Sequence, residues 1–452
     1  MEWGTMSNHL AEAVEKNRTI ILKALDYIWA NPETGYREKK TSRYMEEEFE
    51  KLGYTLVRAG DIPGFYTILD TGRPGPEVLV LGEMDSLICE NHKECDPETG
   101  AVHCCGHAAQ CAALLGIAAA LKEPGITDAL CGRIRLCAVP AEEMIEFEYR
   151  DMLRKQGIIK YIGGKPEFMR RGYFEGVDLA LMVHTTETEH FEVNVGGVGC
   201  LAKRITYKGV SAHAGGSPWK GRNALYAATL GLQAINSIRE TFRERDLIRV
   251  HPIITQGGTA VNAIPEQVCI ESYVRGENFA AISDANRKVN RALCGAALSL
   301  GTNVDIQDIP GYAPYRNAPG MIALAKDALA QVMPEQEFVE TGVVNTGSTD
   351  MGDISCVMPM IHPYAPGATG TSHGDDYMIA NPDLACVGSA KWQLAMLTLL
   401  LQNGGSRAKE ICASYQAPFA SQKEYLDYID TLACEGDRIT YREADNVAEV
   451  RL

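Results

Sequence analysis

Apolar runs that end in chemistry-bearing residues constrain this chain more than any other feature of it. GFYTILD (64–70) and EVLVLGEMD (77–85) read as strands, IRLCAVPAEE (134–143) as a buried strand closing on two adjacent carboxylates, and DLALMVHTT (178–186) as a strand closing on a histidine. Helical segments fall between and around them: residues 1–33 form an amphipathic stretch, a second runs from Lys39 to Leu52, and a long Ala/Leu helix follows His107. Strands alternating with helices predict an α/β fold with a mainly parallel sheet and helices on both faces. Functional groups in such sheets collect beyond the carboxyl ends of the strands, where Asp85, Glu142, Glu143 and His184 fall.

From 198 to 311 the pattern changes. CLAKRITYKG, NALYAATLGLQAINSIRETF, VHPIITQGG, EQVCIESYVRG, ISDANRKVNRALCGAAL and NVDIQDIPG read as β-α-β-β-α-β, the ferredoxin-like arrangement. This predicts an inserted lid/dimerisation domain, 198–311, within a discontinuous metal-binding catalytic domain of 1–197 and 312–452. The total of 452 residues fits a chain of more than one domain. The polar, acidic C-terminal stretch from Ser406 onward is expected to be peripheral.

A formal charge of -16 with scattered Lys and Arg excludes nucleic acid and anionic membrane surfaces as partners. The N-terminal stretch lacks an apolar signal core, and the Ala-rich run Leu114–Leu121 is too short to span a bilayer, so a cytoplasmic location is expected. The 14 cysteines then read as reduced core residues or metal ligands, not disulfides.

Several local patterns carry chemistry. In HCCGH (103–107) a thiolate and an imidazole two residues apart, Cys105 and His107, can converge on one metal, although a buried cysteine beside a capping histidine explains the pair equally simply. Glu142 and Glu143 repel each other at the end of an apolar strand. Their burial calls for a cation, one carboxylate binding it and the other taking a proton from water, or else they are the acids of a helix N-terminus. His184 and His373 add two imidazoles, enough in all for one or two divalent ions. His213, as an imidazolium, and Asn262 could face a developing oxyanion or cap their own turns. Arg222 and Arg275 are candidates for a substrate carboxylate clamp.

Six ordered motifs resemble the family of metal-dependent peptidases and amidohydrolases that includes aminoacylases, carboxypeptidases and auxin-conjugate hydrolases. They are GEMDSL (82–87), HCCGH, PAEE (140–143), SAHAGGSPWKGRNAL (211–225), GGTAVNAIP (257–265) and GSTDMGDIS (347–355), and their form is nearest the aminobenzoyl-glutamate hydrolase branch. The resemblance implies metal ligands at Cys105, His107, Glu143, His184 and His373, a general base at Glu142, and Asp85 as an outer partner of the ligands. It also implies Zn²⁺ as the first expectation with Mn²⁺ as the alternative, a small-molecule amide substrate, and a homodimer through the inserted domain in which His213 reaches the partner's site. Two other readings are a di- or carboxypeptidase and a non-catalytic, metal-poor relative that only binds. The sequence departs from the family pattern at Ala108, where Asp or Asn is usual, at Gln110, in the long charged stretch 144–163, and at Asp375 and Asp376 beside His373. An outer contact to His107 that is missing or supplied from elsewhere, and a reshaped approach to the site, are the expected consequences.

Overall fold

The computed structural model describes residues 3–442, 444 and 446–452. The chain divides into two compact units, one of Met1–Gly196, Tyr315–Val343 and Thr349–Lys423, the other of Gly197–Pro314, Val344–Ser348 and Glu424–Leu452.

The first unit is an α/β structure around a six-stranded mixed sheet in the order Val57–Arg58, Phe65–Asp70, Arg133–Val139, Glu77–Glu83, Leu179–Leu181, Met360–Ile361. The last four run parallel, and the two pairings before them are antiparallel. Glu77–Glu83 lies inside the sheet with all its residues buried, as its unbroken apolar run requires. Helix His107–Ala120 is buried at every position, which explains a composition so rich in Ala and Leu. DLALMVHTT is not one strand. Leu179–Leu181 belongs to the large sheet, whereas His184–Thr186 joins a second sheet with Tyr364–Pro366, Phe191–Val193 and Phe338–Glu340, so His184 stands where the chain passes from one sheet to the other.

The N-terminal stretch forms two helices, Trp3–Lys16 and Arg18–Trp29. Asn17 separates them, its Nδ2 donating to the Ala13 carbonyl at 2.9 Å, a side-chain bond that competes with continued helix. Among the described residues one helix, Asp383–Leu401, is long and apolar enough to cross a membrane, but 89% of its most apolar window is buried in the protein. Ser389, Lys391 and Gln393 interrupt the apolar letters of this segment and hide its length from a simple reading of runs.

In the second unit, strand Gly199–Lys208 pairs antiparallel with Gln267–Gly276 on one side and Asn303–Pro310 on the other. Arg249–Val250 and Ile253–Gln256 pair with the far side of Gln267–Gly276, and helices Ala224–Ser237 and Phe279–Ser299 pack on the sheet. The C-terminal stretch is not peripheral throughout. Helix Gln422–Asp430 buries Tyr425 and Ile429, and hairpin Ile439–Arg442/Val447–Val450 with the turn before it lies along Asn303–Pro310 and buries Ile439, so 424–452 belongs to this unit and not to the first. The apolar anchors are spaced too widely among acids to show as a periodic pattern.

Beneath helix Phe279–Ser299, the buried Lys203 pairs with Asp308 and donates to Asn286 Oδ1 at 2.8 Å and Asn290 Oδ1 at 2.6 Å. Removing the ammonium leaves a buried carboxylate without its cation. Lys203→Met is expected to lower the unfolding free energy by about 3–5 kcal/mol, measured by urea denaturation. Asp308 is held below the usual carboxylate range because Lys203 outweighs its burial. The stability from its shift is therefore present above the unfolded carboxylate's value and is lost as the pH falls through the depressed folded one.

Candidate metal centre

The loop Cys104–Gly106 delivers two donors through one glycine. Gly106 has φ +112°, and a Cβ there would overlap Thr185 Oγ1, so only glycine lets the chain turn into helix His107–Ala120 at this point. His107 starts the helix with Nδ1 at 2.9 Å from the Asp85 carbonyl oxygen and 3.2 Å from Asp85 Oδ1. This fixes the ring and directs Nε2 inward. His184 is held the same way, Nδ1 at 2.8 Å from the Thr185 carbonyl oxygen and Nε2 at 3.4 Å from Cys105 Sγ.

Glu143 comes from the turn after strand Arg133–Val139. Its N–H donates to Asp85 Oδ2 at 2.8 Å, and its Oε1 lies 3.3 Å from His373 Nε2. His373 adopts φ +65° and donates its N–H to the Cys104 carbonyl at 2.8 Å, which ties its loop to HCCGH. Asp376 turns back on that loop and accepts the Thr371 N–H at 2.8 Å.

The structure thus brings all five expected ligands together. Cys105, His107 and His184 form one group whose donor atoms lie within 4.8 Å of one another, and Cys105, Glu143 and His373 form a second. Cys105 is common to both, as a bridging ligand between two ions would be. His107 Nε2 and Glu143 Oε1 are buried without an aligned hydrogen-bond partner, as atoms that face a cation would be, and thiolate, imidazole and carboxylate together can hold a divalent ion.

The electrostatics agree. Burial and Glu143 oppose ionisation of Cys105, but the imidazoles of His107 and His184 outweigh them and bring the thiol down to about 6. Burial alone would lower His107; Cys105 and Glu83 instead hold it well above the ordinary imidazole value. The two adjacent glutamates are driven apart. Burial, Glu83 and Glu143 push Glu142 well above the usual carboxylate range, while Glu143, despite its burial, is drawn down to about 2 by His373. Paired groups separated in this way take different roles in proton transfer.

Three buried charged residues of this centre escaped the sequence reading as functional groups: Glu83, Lys165 and Asp350. Lys165 Nζ pairs with both carboxylates, and Glu83 Oε2 is 3.2 Å from His107 Nε2. Gln110 secures Glu83 from the helix, donating Nε2 to Oε2 at 2.8 Å and accepting the Glu83 N–H at 3.2 Å. Despite Ala108, Asp85 supplies the outer support of His107, on Nδ1. Arg150, also missed, is fully buried in the charged stretch after Glu143, donating to the carbonyls of Glu143 and Ile162. The visible signal for these residues was a charge within an otherwise apolar or glycine-rich segment: LVLGE, GGK and GSTD.

The remaining candidates lie on the second unit. The loops of His213 and Asn262 meet, the Ala214 N–H donating to the Asn262 carbonyl at 2.9 Å, and both residues are exposed. His213 Nδ1 accepts the N–H groups of Gly215 at 3.2 Å and Gly216 at 2.9 Å. That arrangement leaves Nε2 as the ring nitrogen not engaged by these two glycines. The two arginines are separated. Arg275 pairs in register with Cys200 at one end of the sheet and donates to Ser348 Oγ at 3.1 Å. Arg222 approaches Gly301, beyond the opposite end where Lys208 pairs with Gln267 and Asn303, so the two do not form one clamp.

Comparison with known proteins places this architecture. Residues 79–392 match the model of peptidase family M20/M25/M40. The chain is 27% identical over 368 residues to a mouse (Mus musculus) Xaa-Arg dipeptidase, covering 77% of each chain. It is 28% identical over 311 residues to an indole-3-acetyl-aspartic acid hydrolase of Enterobacter agglomerans, covering 64% of this chain and 65% of the relative. Its fold is similar to that of a dinuclear metal-binding M20 peptidase from Bacillus subtilis, with a TM-score of 0.61 at 17% identity over 85% of this chain and 99% of the other. With most of its length matched, from the central strand of the large sheet to the helix containing Trp392, the chain belongs to peptidase family M20/M25/M40.

Proposed function

We propose that this hydrolase cleaves the amide bond joining an acyl or aryl-acyl group to an amino acid, with one or two divalent ions held by Cys105, His107, Glu143, His184 and His373. The convergence of these five donors beside Glu142 carries the reading. A bound divalent ion supplies polarisation of the carbonyl and acidification of water. Glu142, ionised once positive charge fills the cradle, takes the proton of the attacking water and passes it to the leaving nitrogen. Asp85 keeps the His107 ring in register and accepts the backbone N–H of Glu143, so one carboxylate steadies two ligands. Zn²⁺ is the first choice for this ligand set and Mn²⁺ the second. Arg275 is retained as the candidate for the substrate carboxylate, and Arg222 is not.

The likeness to a Xaa-Arg dipeptidase supports a second reading, a dipeptidase using the same machinery. Amine release from a panel of N-acyl amino acids and dipeptides separates the two. Glu142→Gln is expected to lower kcat by about 10²–10⁴-fold with metal content unchanged. Wild-type turnover in that variant, or purified protein without stoichiometric metal, would rule out the mechanism. Because metal must displace the proton held on His107 and keep Cys105 as thiolate, affinity is expected to fall steadily from pH 7 to pH 5 in a competition titration with a chromogenic chelator.

The ferredoxin-like reading of the second unit as a lid and dimerisation domain, in a cytoplasmic homodimer, belongs to the same proposal. Its support is an exposed strand, Ile253–Gln256, and the exposed apolar side chains Trp219, Tyr226, Ile253 and Val261, more than a monomer ordinarily leaves in water. The variant Tyr226→Asp/Ile253→Asp is expected to halve the mass seen by light scattering and to lose activity, because His213 and Asn262 then no longer reach a partner's site. A wild-type monomer would overturn this arrangement.

A further inference from the structure

Behind the ligand cradle lies a group of carboxylates of which the proposed chemistry uses only Glu142. Oxygen atoms of Glu83, Glu142 and Asp350 lie within 4.8 Å of one another, all buried, a spacing that could hold a cation. A protein group already supplies one. Lys165, with no exposed surface, reaches in from the start of helix Gly164–Arg170 and pairs with Glu83 and Asp350. Its placement is built in from two directions. The Lys165 N–H donates to Asp350 Oδ2 at 2.9 Å, and the Gly164 N–H donates to the Ala141 carbonyl at 3.0 Å, next to Glu142. A Cβ on Gly164 would overlap the Pro140 carbonyl oxygen, so the backbone before Lys165 is pressed directly against the PAEE turn.

We infer that the Lys165 ammonium is a tethered cation that takes the place of a metal ion among Glu83, Glu142 and Asp350 and positions Glu142 beside the cradle. This rests on the hydrolase reading, in which Glu142 is the general base. Glu83 and Asp350, joined by Glu142 once it ionises, are like charges too close to persist in a buried site without a counter-charge. A free divalent ion there would draw Glu142 into coordination, whereas an ammonium gives single-charge compensation and stays on its stem, leaving an oxygen of Glu142 available to the reacting water. The ion-pair partners of Lys165 are Glu83 and Asp350, neither of them an expected ligand; it is a positioning residue. Glu83 extends its reach, since the carboxylate paired with Lys165 also lies 3.2 Å from His107 Nε2.

The test counts metal and measures turnover separately. Wild type, Lys165→Ala and Lys165→Ala/Asp350→Asn are dialysed against Mn²⁺ and analysed for bound metal. Lys165→Ala is expected to hold one Mn²⁺ per subunit more than wild type, the double variant no more than wild type. On any amide the wild type cleaves, kcat of Lys165→Ala is expected to fall about a hundredfold with KM little changed, the scale of loss for a misplaced catalytic group. An unchanged Mn²⁺ count in Lys165→Ala, or an unchanged kcat, overturns the inference. Should Lys165→Ala fold poorly, its melting temperature is expected to rise with Mn²⁺ beyond the concentration that saturates wild type, and a failure to rise counts against the inference equally. The metal counts and melting curves need no substrate, so failure of the hydrolase reading, seen as a wild type that cleaves no amide, is distinguishable from failure of the role given to Lys165.

Discussion

Five carboxylates, Glu83, Asp85, Glu142, Glu143 and Asp350, are buried at one end of the first unit, and their mutual repulsion is the constraint the surrounding structure answers. Two like charges about 4 Å apart cost about 4 kcal/mol even at an effective dielectric constant of 20. Each acid is accordingly given something positive. Asp85 accepts the Glu143 N–H, Asp350 accepts the Lys165 N–H and its ammonium, and Glu83 receives Lys165 and Gln110. Glu142 and Glu143 face the cradle of imidazoles and thiol, where a divalent ion would complete the neutralisation. The fully buried helix and the glycines at 106 and 164 serve this arrangement by letting backbone approach closely enough to deliver those groups.

Much of this was legible in the chain because two signals coincide at the strand ends: apolar runs long enough to be strands, and side chains that are costly to bury without a purpose. Glu142 and Glu143 carry both signals, whereas Cys105 and His107, in the loop that opens a helix, carry only the second. Lys165 and Arg150 carry neither in isolation, since a basic residue in a charged stretch is indistinguishable from a solvated one until its burial is known. The break at Asn17 and the split of DLALMVHTT depend on local side-chain and sheet-pairing choices that hydrophobic periodicity does not register. The C-terminal segment was misread for a related reason. Its attachment rests on a few anchors, Tyr425, Ile429 and Ile439, set among acids.

The second unit is organised differently. Its sheet is held by backbone pairing over the whole length of Gly199–Lys208 and by one buried ion pair, while its loops present His213 and Asn262 outward with their backbones locked to each other. A rigid scaffold with two exposed, pre-formed donors is what a site completed from outside would require. The N–H groups of Gly215 and Gly216 hold the His213 ring through Nδ1.

Ala108 shows how a departure from the family pattern is absorbed. Position 108 lies on a helix with no exposed residue, and its side chain packs in the main core. A carboxylate there would need a cation of its own within that core. Here the carboxylate that supports His107 on Nδ1 is Asp85, just beyond the strand Glu77–Glu83, and the helix contributes only the neutral amide of Gln110, which donates to Glu83. An Asp at position 108 would put an acid into that core with no cation of its own.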